Sequence, residues 1–149
     1  MPLSLPSASQ RRTPTVTASS PAVAYLDSSA LVKLIAIEPE TAVLRSELRG
    51  WPQRTSSLLA AVEVTRAATR LGPTAAALAP RVLAGVRLLA IDPIVPLAST
   101  IGGGSLRSLD AIHLATAVGI AHQIGVVITY DQRMLAEALA LGLTAIAPR

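Results

Sequence analysis

Short apolar runs alternate with longer amphipathic segments from residue 22 to the carboxyl terminus. Such short runs are typical of strands that are buried in a parallel sheet, whereas apolar residues that recur every three or four positions predict helices. Strands are predicted at Ala22–Leu26, Arg54–Ser56, Asp92–Val95, Val126–Thr129 and Thr144–Ala147. Strands that alternate with helices over this length predict an α/β fold with a central parallel sheet covered on both faces.

Helices are predicted between these strands, with capping residues or helix breakers at their ends. Ser28 and Ser29 can cap the first helix, which the segment Glu38–Glu40 breaks. The other helices are predicted at Thr41–Leu48, Leu58–Arg70, Thr74–Ala90, Leu106–Ala121 and Gln132–Leu141. Pro80 can kink or split the helix that contains it. The three consecutive glycines Gly102–Gly104 predict a flexible hinge.

The first 21 residues have a different composition from the rest. Met1–Pro21 is rich in Ser, Thr and Pro, and it contains no acidic residue and no continuous apolar stretch of the secretory kind. We therefore predict a disordered tail at residues 1–21 and one folded domain at residues 22–149.

Composition excludes several classes of protein. The hydrophobic fraction of 51% is ample for a core, but no apolar stretch reaches the ~18 residues of a membrane span. Without cysteine there are no disulfides and no thiolate metal sites, which favours a cytoplasmic protein. The net charge of +4 permits nucleic-acid binding without requiring it. Twelve of the thirteen basic residues are arginines, which suits phosphate recognition but also fits a GC-rich genome.

Four of the nine acidic residues lie inside or at the end of apolar segments, namely Asp27, Glu63, Asp110 and Asp131. A buried carboxylate is costly unless it is paired, hydrogen-bonded or bound to a cation. Two of the four follow predicted strands, and the carboxyl ends of parallel strands are where such sheets bind ligands. If all four meet in one cleft, they form a site for a hard divalent metal ion.

Each acid also has a structural interpretation. The two aspartates that follow strands can cap the helices that begin there. Glu63 can form a surface ion pair with Arg66 or Arg70 on the same helix. Asp110 can be favoured by the helix dipole or can pair with His113, three residues later. His113 is expected to be structural or to support the ligands, because an oxygen-rich site suits Mg²⁺ or Mn²⁺.

Three segments and one helical acid together resemble the PIN-domain family, and more narrowly the VapC toxins of bacterial toxin–antitoxin pairs. They are YLDSSALVKL (Tyr25–Leu34), Glu63, LRSLDAIHLATA (Leu106–Ala117) and VITYDQRM (Val127–Met134). The resemblance covers residues 22 to about 147, which is nearly all of the predicted folded domain.

The resemblance implies a three-layer α/β/α fold and a Mg²⁺- or Mn²⁺-dependent endoribonuclease. Carried over by position, its catalytic acids are Asp27, Glu63, Asp110 and Asp131. We expect Asp27 and Asp110 to bind the metal, while the other two acids orient water or a second metal. Ser28 and Thr129 are expected to support the site, and Lys33 and Arg107 to guide the RNA backbone.

The resemblance also implies partners. RNA is the expected substrate, and a VapB-like antitoxin is the expected protein partner. A homodimer is predicted, held by apolar helix faces within Leu31–Ile37 and Leu58–Ala68, whose content of Leu, Val and Ala exceeds what one small core needs.

Three other classes of protein compete with the PIN-domain nuclease as interpretations of the sequence. A haloacid-dehalogenase-like phosphatase needs a second Asp two positions after the first, where this chain has Ser29. A receiver domain needs a late lysine, and Lys33 is the only lysine. A PIN-like module that binds RNA or protein without cleaving it is not excluded by the four acids.

Overall fold

Five parallel strands form a single sheet at the centre of the fold. The computed structural model describes residues 22–149. The strands are β1 (Val23–Leu26), β2 (Gln53–Ser57), β3 (Arg87–Leu89), β4 (Val126–Ile128) and β5 (Ala145–Ile146). Their spatial order is β3-β2-β1-β4-β5. The predicted α/β class is confirmed, whereas the predicted tail at residues 1–21 lies outside the described residues.

Helices cover both faces of this sheet. They are α1 (Ser28–Lys33), α2 (Thr41–Leu48), α3 (Leu59–Leu71), α4 (Pro73–Ala84), α5 (Val95–Ala98), α6 (Ser108–Gly119) and α7 (Gln132–Ala140). Successive β1 side chains point to opposite faces, so Leu26 packs with α1 to α4 while Tyr25 packs with α6 and α7. The fold therefore has three layers. None of the helices in residues 22–149 has the length and apolarity needed to cross a membrane.

The third strand of the sheet lies earlier in the chain than the sequence pattern predicts. The predicted helix Thr74–Ala90 ends at Ala84, and its last part is strand β3 instead. Gly85 and Val86 donate their N–H groups to the carbonyls of Val82 and Leu83, which ends the helix. The segment Val86–Ala90, which is apolar except for Arg87, fits a helix or a strand equally well, so periodicity alone cannot decide between them.

The predicted strand Asp92–Val95 is wrong. Residues Asp92–Ile94 form a 3₁₀ turn that leads directly into α5. Pro93 has no N–H to donate to a neighbouring strand, while Ile94 donates to the carbonyl of Ile91 at 2.9 Å and so closes the turn. Pro80 remains inside α4, which it does not split.

The sheet topology fixes where a ligand can bind. The chain runs outwards from β1 to β3 on one side, and it returns to place β4 against the other side of β1. Leu26 is paired with Ile128 at the carboxyl ends of these two central strands. A crevice outside the carboxyl ends of such strands is the usual ligand site of open α/β sheets. The next residues, Asp27 and Thr129, lie at this crevice.

Candidate active site

Asp27 is held by three hydrogen-bond donors at the end of β1. Its Oδ1 accepts from the Ala30 backbone N–H at 3.0 Å and from Ser29 Oγ at 2.6 Å. Its Oδ2 accepts from Thr129 Oγ1 at 2.6 Å. Burial raises the pKa of Asp27 above its ordinary value of 3.8, although these hydrogen bonds act in the opposite direction. The residue caps α1, as the structural interpretation predicted, and it is also a buried carboxylate without a cationic hydrogen-bond partner.

Asp131 is placed beside this group by Thr129. Its backbone N–H donates to Thr129 Oγ1 at 3.1 Å, so one hydroxyl contacts both aspartate residues. Asp131 Oδ1 accepts from the Met134 N–H at 2.8 Å and thereby caps α7. Capping uses only one oxygen of the carboxylate, and the other is left for a ligand.

Asp110 lies in the first turn of α6, where the charges of Asp131 and Asp27 act on its carboxylate. Burial raises its pKa above 3.8, and the negative charges of Asp131 and Asp27 raise it further. Within residues 22–149 the Asp110 carboxylate has no ion-pair partner, and it does not pair with His113. The charges of Asp131 and Asp27 therefore act on Asp110 in this structure.

Glu63 on α3 is bonded differently from the three aspartates. Its Oε2 accepts from Ser28 Oγ and from His113 Nε2, the latter at 2.7 Å. Burial opposes ionisation of Glu63, but the hydrogen bonds from His113 and Ser28 outweigh it and lower its pKa. The alternative surface pairing of Glu63 with Arg66 or Arg70 is not formed. Ser28, the residue that follows Asp27, bonds to Glu63 instead.

The donor set of this site consists of carboxylate oxygens and hydroxyls, which suits a hard divalent cation such as Mg²⁺ or Mn²⁺. No three acidic or imidazole side chains within residues 22–149 are arranged closely enough to form a complete metal site by themselves. This arrangement still fits Mg²⁺, because that ion usually takes one or two carboxylates directly and keeps several waters. A bound cation would also offset the repulsion that raises the Asp110 pKa.

A cavity of about 420 Å³ opens beside Glu63 and Ser28. Lys33, Arg70 and Tyr130 also line it. Lys33 forms ion pairs with Glu38 and Glu40, and its ammonium group lies 4.6 Å from the centre of the Tyr130 ring.

Two basic residues complete the surroundings of the acids. Arg70 was not among the predicted RNA contacts, although its position seven residues after Glu63 places both on one face of α3. Arg107 is the exposed residue that precedes α6, and its charge acts to lower the Asp110 pKa.

A larger cavity of about 510 Å³ lies elsewhere, at the amino ends of β1, β2 and β3. Its lining includes Arg54 and Arg87 but no acidic residue. The candidate active site is therefore distinguished by the chemistry of its side chains and not by the size of a cavity.

A family model of the PIN domain matches residues 24–138 of the chain. The chain belongs to the PIN-domain family. Its relatives include ribonuclease VapC46 of Mycobacterium tuberculosis, which is 46% identical over 128 residues. That match covers 85% of this chain and 98% of the relative. Ribonuclease VapC47 from the same species is 39% identical over 130 residues, covering 83% of this chain and 96% of the relative. The resemblance drawn from the sequence motifs is thereby confirmed.

Solved structures agree with this assignment at the level of the fold. A toxin–antitoxin complex from Klebsiella pneumoniae contains a chain that superposes with a TM-score of 0.65 at 23% identity. That similarity covers 85% of this PIN domain chain and 98% of the other. VapC20 of M. tuberculosis, a toxin that cleaves the sarcin–ricin loop, superposes with a TM-score of 0.61 at 17% identity. That similarity covers 84% of this chain and 99% of VapC20.

Proposed function

We propose that this PIN-domain protein is a divalent-metal-dependent endoribonuclease, the toxin of a VapBC-type pair that acts on RNA in the cytoplasm. The observation that carries the proposal is the group formed by Asp27, Asp110 and Asp131 at the carboxyl edge of the sheet. In this group the charges of two carboxylates raise the pKa of the third, and no cationic side chain among residues 22–149 forms an ion pair with any of them. Relatives named ribonuclease VapC support RNA as the substrate.

Asp27 and Asp110 would hold the cation, with oxygen donors of the kind that Mg²⁺ and Mn²⁺ prefer. When bound, such a cation acidifies a water molecule and neutralises negative charge on the phosphoryl group that is attacked. Asp131 and Glu63 would orient the attacking water, because each has one carboxylate oxygen fixed by protein donors. Ser28 and Thr129 keep these acids in place through the hydrogen bonds described above.

The basic side chains around the acids would position the RNA backbone. Arg70 lines the cavity beside Glu63, and Arg107 lies next to the start of α6. A guanidinium group can bind a phosphate through two parallel hydrogen bonds. Lys33 would contribute less than the sequence suggested, because Glu38 and Glu40 already neutralise its ammonium group.

An RNA cleavage assay tests this function directly. Purified protein is incubated with a labelled RNA pool in EDTA, in Mg²⁺ and in Mn²⁺, beside the variants Asp110→Asn and Asp92→Asn. We expect cleavage only with metal, and a loss of at least about 100-fold in Asp110→Asn, as is usual when a charge-stabilising group is removed. Asp92 is exposed on the 3₁₀ turn and serves as the matched control, with wild-type activity. Cleavage that persists in EDTA would contradict the proposal.

The same assay separates the enzyme from a binding module. A non-catalytic PIN-like protein would retain RNA in a filter-binding experiment and yet release no product with any metal. The repulsion at Asp110 favours the enzyme, because a site that only binds RNA has no need for three converging carboxylates.

A homodimer is the second part of the proposal. Leu31, Ile35, Ala60, Val64 and Ala68 are buried in the core of one chain and cannot contribute to an interface. Large apolar side chains remain exposed in the same N-terminal half, at Ile37, Val43, Leu58 and Val62. We expect light scattering to give the mass of a dimer at micromolar concentration, and Val62→Asp to give that of a monomer. Leu139→Asp, at an equally exposed position on α7, is the control. A monomeric wild type would contradict this part alone.

A further inference from the structure

A buried chain of hydrogen bonds joins β1 to the proposed active site. The hydroxyl of Tyr25 lies 2.8 Å from His113 Nδ1, and His113 Nε2 lies 2.7 Å from Glu63 Oε2. Tyr25 is completely buried and His113 is 2% exposed. The two rings meet edge to face, with their centres 6.1 Å apart. Neither ring contacts solvent to any useful extent, so the chain is insulated from water until it reaches Glu63.

Each proton arrangement that satisfies this hydrogen-bond chain has a proton on the nitrogen that faces Glu63. The Tyr25 hydroxyl is a phenol with an ordinary pKa of about 10, so it keeps its proton at neutral pH. The proton can be donated to Nδ1 of a neutral imidazole, which then carries its own proton on Nε2. That N–H points to the Glu63 carboxylate, an acceptor that has no proton to give. Every group in the hydrogen-bond chain is thereby satisfied, and a ring protonated on both nitrogens would likewise donate to Glu63 through Nε2.

Only one of the two carboxylate oxygens of Glu63 takes part in this chain of hydrogen bonds. His113 and Ser28 both donate to Oε2, while no side chain or backbone group within residues 22–149 bonds to Oε1. A carboxylate fixed through one oxygen is held in one rotamer and keeps the other oxygen for water or substrate. The same helix α6 supplies Asp110 and His113, three residues apart, so the chain also ties Glu63 to the element that carries Asp110.

We infer that His113 is a positioning residue for Glu63, and that Tyr25 orients the His113 ring by satisfying its far nitrogen. The inference rests on the proposed function, because it gives Glu63 a role in RNA cleavage. His113 touches no part of the substrate in this account. It acts by holding the Glu63 carboxylate ionised and aimed into the crevice.

The proton arrangement is measured first, in the full chain without metal. The ¹⁵N shifts of the imidazole distinguish a neutral ring protonated on Nε2 from one protonated on Nδ1 and from a cation. We expect a proton on Nε2, in the neutral ring or in the cation, because either form donates to Glu63. A ring protonated on Nδ1 alone would overturn the inference, because Nε2 could then not donate to the Glu63 carboxylate.

Kinetics then test whether His113 acts through Glu63. We expect His113→Leu to lower kcat about 10- to 100-fold with Mn²⁺, as is typical when a supporting hydrogen bond is removed. His113→Gln can place an amide N–H near the position of Nε2, and it should recover activity to within about fivefold of wild type. His113→Asn is the matched control, since its shorter side chain cannot reach Glu63. Equal activity in the Gln and Asn variants would overturn the inference.

A double-mutant cycle excludes a merely structural effect. In a Glu63→Ala background, adding His113→Leu should change the rate by less than about twofold, because the interaction is already absent. A drop as large as in wild type would show that His113 only supports the fold. The proposed function can fail separately: if wild type cleaves no RNA with any metal, that proposal falls, whereas the ¹⁵N measurement still decides whether the hydrogen-bond chain exists.

Discussion

Thr129 connects two acids of the proposed site through a single hydroxyl. It is completely buried, donates to Asp27 Oδ2 at 2.6 Å and accepts from the Asp131 N–H at 3.1 Å. Thr129→Val keeps the shape and removes both bonds. We expect the free energy of unfolding to fall by about 1–3 kcal/mol, because a buried carboxylate oxygen and a partly buried N–H lose their partner. Urea denaturation in EDTA measures this change.

Thr129→Ser is the matched control for that substitution. It keeps the hydroxyl and loses only a methyl group, so it should retain RNA cleavage and most of the stability. A valine variant as stable and as active as wild type would show that Thr129 fills space and does not hold the two aspartates.

Asp110 makes the stability of the metal-free protein depend on pH. Its pKa is raised above 3.8, so the folded state holds this proton more tightly than the unfolded state does. Asp110 therefore contributes favourably to the free energy of unfolding below pH 3.8, and this contribution is lost as the pH rises through the pKa of the folded state. Asp110→Asn should therefore gain in melting temperature over wild type as the pH increases from 4 to 7, by about 1–3 °C at neutral pH. A difference that shrinks over this range would contradict the account.

The sequence identifies residues of the site better than it identifies their partners. Asp27 directly follows β1 and Asp131 lies three residues after the end of β4, so the apolar runs placed both near the carboxyl edge of the sheet. The partner of Glu63 could not, since helical spacing offers Arg66 and Arg70, whereas the observed donor is His113, 50 residues away in the sequence. Pairing across elements depends on the tertiary fold, which local spacing does not contain.

At the scale of elements, the glycine run before α6, which the sequence predicts to be a hinge, forms a turn with its own hydrogen bonds. Gly102 and Gly103 have φ angles of +68° and +54°, in the left-handed region. Ser105 donates from both its N–H and its hydroxyl to the Gly102 carbonyl, at 3.1 and 2.6 Å. This turn sets the direction in which the chain enters α6 and so the position of Asp110.

Gly102→Ala should destabilise this turn more than Gly103→Ala. A Cβ on Gly102 would lie 2.7 Å from Leu106 Cδ1, whereas a Cβ on Gly103 would meet nothing within 4 Å. Both variants incur the left-handed strain of about 1–2 kcal/mol. Thermal melts should therefore rank Gly102→Ala below Gly103→Ala, with Gly104→Ala close to wild type because its φ is not positive. Equal melting temperatures for the three variants would contradict the contact with Leu106.

The elements themselves were predictable where their periodicity is unambiguous. Helix α2 begins and ends at the predicted residues, and strands β1, β2, β4 and β5 lie where apolar runs or turn signals place them. The error at β3 arose where a mostly apolar segment follows α4 and only Gly85 marks the end of the helix. There the hydrogen bonds to β2 select the strand, and these are contacts between residues about 30 positions apart.

At the scale of the whole molecule, residues 22–149 contain both core clusters and the complete family match. We therefore expect a chain that starts at Pro21 to fold as well as the full chain and to keep its nuclease activity. Its melting temperature should change by less than about 4 °C, which corresponds to roughly 1 kcal/mol in a domain of this size. A larger drop, measured by differential scanning calorimetry, would show that residues 1–20 contribute to the core.

The central claim is that the converging acids of this PIN domain form a metal site, and metal-dependent stability tests it most directly. The melting temperature is measured for wild type, Asp110→Asn and Asp92→Asn in EDTA and over a Mn²⁺ titration. Wild type and Asp92→Asn should both gain stability with Mn²⁺, because a ligand that binds only the folded state stabilises it by mass action. Asp110→Asn should have a higher melting temperature than wild type in EDTA, and its melting temperature should rise much less when Mn²⁺ is added. A variant that starts lower than wild type in EDTA and keeps the full response to Mn²⁺ would contradict the claim, since Asp110 would then be a structural residue and not part of a metal site.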